Sequence, residues 1–135
     1  MKCLRFRVAD YVLAVDLAWV HRVVSVRDVT TLPTLYVWGG TRWLRVDLLG
    51  PTSEVGETVV LLASQDARLG WQVGRVDGID EVSESELHPI PRGWLNRGIS
   101  WVTHLYFRDE VPAYIVHLPT ILQVWMSQFP TEASP

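Results

Sequence analysis

The stretch Thr58 to Pro91, TVVLLASQDARLGWQVGRVDGIDEVSESELHPIP, limits the fold more than any other part of the chain. Val59 to Ala63 is a short unbroken apolar run bounded by polar residues, which reads as a buried strand. Gln65 to Arg68 is a tight polar turn, and Gly70 to Val76 reads as a strand returning beside the first. Ile79, Val82, Leu87 and Ile90 then recur as spaced apolar anchors up to a closing Pro-x-Pro. Runs this short, punctuated this often, build sheets rather than helical bundles.

The rest of the chain follows the same plan. Leu4, Phe6 and Val8 alternate with Arg5 and Arg7, the period of a strand with one wet face. Tyr11 to Val15 returns as a second strand. Asp16 can accept from the free amides of a short helix in which Leu17, Val20 and Val24 share a face. That helix is limited to about two turns, because Val23 to Val26 is β-branched or small and suits a strand again. Asp28, Pro33 and Gly39-Gly40 mark turns, and Trp43 to Leu48 alternates into another strand. Further on, Ile99, Trp101, Thr103, Leu105 and Phe107 alternate with their neighbours. Arg108-Asp109-Glu110 turns the chain, Pro112 to Val116 pairs back, and Pro119 opens a last helix carrying Ile121, Leu122 and Trp125. Gly40 to Leu48 and Glu110 to Leu118 form a faint internal repeat, each a turn, a strand and a Leu that begins the next element. The pattern predicts a mainly β fold: two small five-stranded, SH3-like barrels sharing a core, with short helices including a C-terminal one.

With 135 residues and 48% hydrophobic content, there is room for one domain with a real core, set at residues 1–127. Residues 128–135, two prolines among small polar groups, read as a flexible tail. A formal net charge of −3 gives no electrostatic drive towards nucleic acid or anionic lipid. Cys3 is alone, which excludes an internal disulfide, fits a reducing compartment and suits a small buried hydrophobe. Charges at Arg5, Arg7 and Asp10 interrupt any signal-peptide core, and no apolar run reaches a membrane span. A cytoplasmic protein without membrane insertion is the expectation.

Catalytic chemistry has no foothold in this pattern. His21, His88, His104 and His117 have no metal-ligand spacing with one another or with acidic residues, so neither a metal nor another cofactor is expected. Ser64, Ser83 and Ser85 have no paired base, and no nucleotide or nucleophile motif occurs. Asp80, Glu81, Glu84 and Glu86 read as a solvated acidic loop that could repel wrong partners. Seven tryptophans are many for this length, and Trp is both a core residue and an interface anchor. Trp19 and Trp38 are the candidates for exposure.

The order of these segments resembles the CheW-like adaptors of bacterial chemotaxis from Lys2 to about Val124. Leu13-Ala14-Val15-Asp16-Leu17 followed by Val20-His21-Arg22-Val23-Val24 matches the family's first-barrel strand and the V-x-x-V-L after it. Gly40 to Leu48 stands where the family has G-x-x-x-P-V-V-D-L, and Val116-His117-Leu118 where it has the closing V-D-L. The resemblance implies a non-enzymatic adaptor in which a groove between barrels takes the cytoplasmic tip of a chemoreceptor. The family's groove positions fall on Val20, Thr58, Val59, Gly70 and Val76.

The chain departs from the family between Pro33 and Gly39, where a longer segment is usual, and Gly39 replaces a characteristic Arg. Arg22 stands where an acidic residue is common. The first barrel helps dock a CheA-type histidine kinase in typical members, so these departures imply weakened or absent kinase coupling. The possible kinase or partner surface comprises Tyr36, Trp38, Gly39 and Arg42. An ordinary receptor–kinase coupler, with Tyr36 and Trp38 supplying the lost contacts, is the alternative. From another class, a small barrel could bind single-stranded nucleic acid through exposed aromatics, but that needs a basic groove.

Overall fold

A computed structural model describes residues 1–47, 56–65, 67–90 and 100–127, of which residues 126 and 127 are described by backbone alone. The first sheet contains β1 (Lys2–Val8), β2 (Tyr11–Asp16), β9 (Arg75–Glu81), β10 (His88–Pro89), β11 (Val102–Arg108) and β12 (Val111–Val116). The second contains β3 (Val20–Ser25), β4 (Thr30–Thr31), β5 (Leu35–Trp38), β6 (Thr41–Val46), β7 (Thr58–Ala63) and β8 (Arg68–Val73). Their orders are β10-β11-β12-β2-β1-β9 and β3-β7-β8-β6-β5-β4. Each sheet thus has the five strands expected plus a two-residue sixth, and a helix α1 (Leu118–Ser127) follows β12. The mainly β, two-barrel architecture is the one the segment pattern predicts.

The two sheets are built alike, and they exchange parts. The β1–β2 hairpin sits between β9 and β12, and the β7–β8 hairpin sits between β3 and β6. β6 runs parallel to β8 with Leu44, Arg45 and Val46 opposite Leu69, Gly70 and Trp71. In the same way β12 runs parallel to β2 with Tyr114, Ile115 and Val116 opposite Leu13, Ala14 and Val15. A bulge recurs as well: β3 skips His21 between Val20↔Leu62 and Arg22↔Leu61, and β9 skips Asp77 between Val76↔Phe6 and Gly78↔Arg5. The chain is therefore two repeats, β1–β6 and β7–β12, each lending its first hairpin to the other sheet. The nine-residue similarity noted in the sequence falls on β6 and β12, which hold equivalent places; Leu48 lies outside the described residues.

Equivalent turns join β5 to β6 and β11 to β12. Gly39 and Gly40 have φ of 59° and 72°, and Asp109 and Glu110 have φ of 51° and 67°. Two successive positive φ angles make the turn that matches strand twist in a two-residue hairpin. Glycine adopts it freely, whereas Asp109 and Glu110 hold it against a steric cost.

Three apolar clusters follow from strands covered on both faces. Phe6, Leu13 and Val15 of the first sheet meet Val60, Leu62, Leu69 and Trp71 of the second in a shared core closed by Trp101, Leu118 and Ile121. Trp71 stands at its centre, edge-on to Phe6 at 5.5 Å and to Trp101 at 5.7 Å. Inside the first barrel lie Cys3, Val12, Ala14, Tyr106 and Ile115. The second barrel encloses Tyr36, Trp43, Val59 and Leu61.

Several local expectations are corrected. Asp16 does cap, accepting from the Ala18 amide at 2.9 Å, but the helix is one 3-10 turn, Leu17–Trp19. Val20 and Val24 lie in β3, because β-branched residues favour the strand. The run Gly70 to Val76 is not one strand: β8 ends at Val73, Gly74 donates its amide to the Arg7 carbonyl at 2.8 Å, and Val76 pairs with β1 in the other sheet. Ile79 is no core anchor. It is 58% exposed, since the inward position of β9 is held by Asp80, while Val82 is buried and Leu87 and Ile90 pack at the edges of the first-barrel and shared cores. In β11, which has a bulge between Val102 and His104, the alternation fails: Leu105 and Tyr106 are both buried, Tyr106 inside the first barrel, and Phe107 is exposed. Asp66 of the expected turn, Ile99 and the 128–135 tail lie outside the described residues. No described helix is long and apolar enough to cross a membrane.

Candidate docking surfaces

The groove residues inferred from the resemblance divide into two groups. Val20 and Val76 are half-buried, rest against the shared core, and occupy the same place in the two repeats, one residue before each bulge. Thr58, at the start of β7, is half-buried opposite Ser25 and Val73. Val59, by contrast, is 0% exposed inside the second barrel. Gly70 is buried too, and a Cβ there would sit 2.4 Å from Cδ2 of Tyr36. Neither can touch a partner, because β7 and β8 are inner strands with apolar neighbours on both faces. Glycine at 70 serves the close approach of the Tyr36 ring.

The second predicted surface is also revised. Tyr36 is wholly buried, its hydroxyl donating to Gln72 Oε1 at 3.4 Å, so it supplies no partner contact. Burial pushes the Tyr36 phenol up, only partly offset by the Arg45 guanidinium, which lies 5.6 Å from the ring. Trp38 is half-buried, and Gly39 and Arg42 are exposed on the β5–β6 hairpin. The shortened segment before Gly39 is thus a complete strand and a tight turn.

Around that hairpin the structure assembles residues that the motif reading did not select. The exposed His21, skipped by the β3 bulge, has its ring 6.0 Å from Trp38 and 5.0 Å from Trp43. Arg22 lies over Trp38 at 5.6 Å. Trp43 is buried with its indole Nε1 lacking an acceptor among the described residues. Clustering of Arg42, Trp43 and Arg45 along β6 was the one signal available in sequence; the bulge that brings His21 to them was not. Trp19 is half-buried, edge-on to His117 at 5.6 Å.

Acidic residues predicted to form a solvated loop instead tie the first barrel together. Asp80 accepts from the Tyr106 hydroxyl at 2.7 Å and meets Arg5 Nε at 3.0 Å. Burial and the neighbouring Asp80 hold the Tyr106 phenol far above its usual range. Glu86 accepts from Arg108 at 2.6 Å and from the Ser83 amide at 3.1 Å. Burial pushes the Cys3 thiol up to about 11, which makes it an inert core group rather than a nucleophile.

Asp77 provides a pH test of the β1–β9 pairing in the first sheet. Burial pushes its carboxyl up, but hydrogen bonds from Arg7 at 3.0 Å and Arg75 at 2.7 Å outweigh it and hold it below the usual carboxylate range. A depressed carboxylate stabilises the fold above its unfolded pKa and loses that contribution as pH falls through the folded value. Both arginines are at least half exposed, so the pairs together contribute below about 1 kcal/mol. Thermal unfolding should show Asp77→Asn slightly less stable than wild type at pH 7, with the gap closing as pH falls below the ordinary Asp value of about 3.9. A gap that widens on acidification would contradict this.

Among the described residues no three His, Cys, Asp or Glu side chains converge as a metal site. No protein-family model matches the chain, and no curated protein sequence matches it significantly. Among solved structures it is similar to the crystal structure of scaffolding protein TtCheW from Thermoanaerobacter tengcongensis. That likeness has a TM-score of 0.71 and 16% identity over 87% of this chain and 90% of the other. At this identity the likeness establishes the fold.

Proposed function

We propose that the chain is a non-enzymatic adaptor of bacterial chemosensory signalling, acting in the cytoplasm through residues 1–127 as one unit and binding the cytoplasmic tip of a chemoreceptor. The observation that carries the reading is the two-barrel fold, shared over 87% of the chain with a scaffolding CheW. Val20, Val76 and Thr58 are the groove residues left accessible, and their small apolar or β-branched side chains suit a helical hairpin. Kinase coupling is weakened or absent in this proposal, because the β5–β6 hairpin is tight and Tyr36 is buried, leaving Trp38, Gly39 and Arg42 to meet a kinase. Signal passes as a difference in affinity between receptor states.

Calorimetry with a receptor-tip hairpin fragment and with the kinase regulatory domain tests both parts. Wild type should bind the receptor fragment, and Val20→Gln or Val76→Gln should weaken binding at least about tenfold, roughly 1.4 kcal/mol, in proteins shown by circular dichroism to be folded. No receptor binding by wild type sinks the adaptor reading, and unchanged affinity in both variants moves the groove elsewhere. Micromolar or tighter kinase binding would leave an ordinary coupler standing.

A further inference from the structure

The two repeats act as internal controls for each other, and one difference between them is not structural housekeeping. β9 and β3 are equivalent edge strands, each hydrogen-bonded to one neighbour and each with an outer edge outside its ladder. An edge strand presents unpaired N–H and C=O groups that another chain can join. The β9 edge is guarded. Arg108 Nη2 donates to the Glu81 carbonyl at 2.7 Å, and Asp77 and Asp80 place charge along the strand.

Among the described residues no arginine bonds a β3 carbonyl, and β3 carries no carboxylate. Trp38 holds the position before the turn that Arg108 holds in the other repeat, so no guanidinium reaches the strand from that position. His21, Arg22, Val23 and Ser25 are exposed, with Val23 at 38%. Charge separates the two edges further. All six ion pairs among the described residues lie on or beside the first sheet, and Arg22, Arg27, Arg42 and Arg45 form no ion pair with a described carboxylate.

We infer that the open edge of β3 takes up an extended acidic segment of a partner protein as an added strand. The edge supplies backbone hydrogen bonds, Arg22 on the strand and the other arginines of the second sheet's side supply the charge, and Val23 and Trp38 offer apolar contact to alternate side chains. A lipid surface or a nucleic acid would satisfy the charge but not the strand edge. This surface lies on the opposite side of the bulge from Val20 and stands or falls independently of receptor docking.

The test uses the full chain and an acetylated, amidated peptide of alternating glutamate and valine, with a lysine–valine peptide as control. Hydrogen exchange should show outward amides of residues 22–25 slowed at least about tenfold by the acidic peptide alone, with the effect weakened at high salt. Arg22→Glu, an exposed change that spares the core, should reduce peptide affinity at least about tenfold while leaving receptor-fragment affinity within about twofold of wild type. Four results overturn the proposal: no protection of β3, equal binding of the lysine peptide, protection on β9 instead, or equal protection by phosphatidylserine vesicles. Protection of β3 that rises with protein concentration in the absence of peptide would also overturn it, by identifying a second copy of the chain as the occupant.

Discussion

Trp71→Ala should lower stability by about 4 kcal/mol, the middle of the range for truncating a buried Trp. The indole is 1% exposed and touches the first sheet through Phe6 and the segment before β11 through Trp101. Its removal opens a cavity where the two barrels meet, and neither sheet can close the gap without giving up its register. Total stabilities of domains this size are about 5–15 kcal/mol, so the loss is a large share of the whole. Urea unfolding should show a lower midpoint with an unchanged slope. A loss under about 1.5 kcal/mol would mean that the shared core collapses easily, and would remove Trp71 from its central role.

Val59→Glu should abolish the native fold, while Thr58→Glu one residue earlier should cost little. Val59 is fully buried between Val24 and Gln72 of neighbouring strands, in a cluster with Tyr36, Trp43 and Leu61. A carboxylate there must either stay charged without a partner or take up a proton, and either course costs several kcal/mol. Thr58 points to the other face and is half-buried. Circular dichroism and near-ultraviolet spectra of the two variants decide the matter. A folded Val59→Glu protein would reverse the inward assignment of β7 and restore Val59 as a groove residue.

The legible part of the fold was its segmentation. Alternation in Leu4–Val8, the apolar run at Val59–Ala63 and the turn at Arg108–Glu110 each carry their signal within a few neighbouring residues, and each element formed where expected. What could not be read was set by pairings distant in sequence. Val76 leaves its hairpin for β1 because Gly74 bonds to Arg7, a contact no local pattern announces. Val59 and Gly70 look like surface groove positions only until the partner strands on both sides are known. The docking residues suffered most for the same reason. His21 reaches Trp38 and Trp43 through a bulge, and bulges leave almost no mark on composition.

The exchanged hairpins have a consequence for how the molecule is made. A ribosome that has delivered β1–β6 has delivered no complete barrel: β2 lacks β12, β3 lacks β7, and β6 lacks β8. The N-terminal ammonium waits for Val82, 81 positions later, before it finds its acceptor. The first half must therefore emerge as an unclosed, apolar-faced chain, and closure of both barrels is postponed to one late event that engages both halves at once. Long-range pairing of this kind folds slowly and exposes sticky edges meanwhile. The nascent chain is then a natural client for a holding chaperone, and separately expressed halves should be insoluble alone yet able to complement each other when mixed.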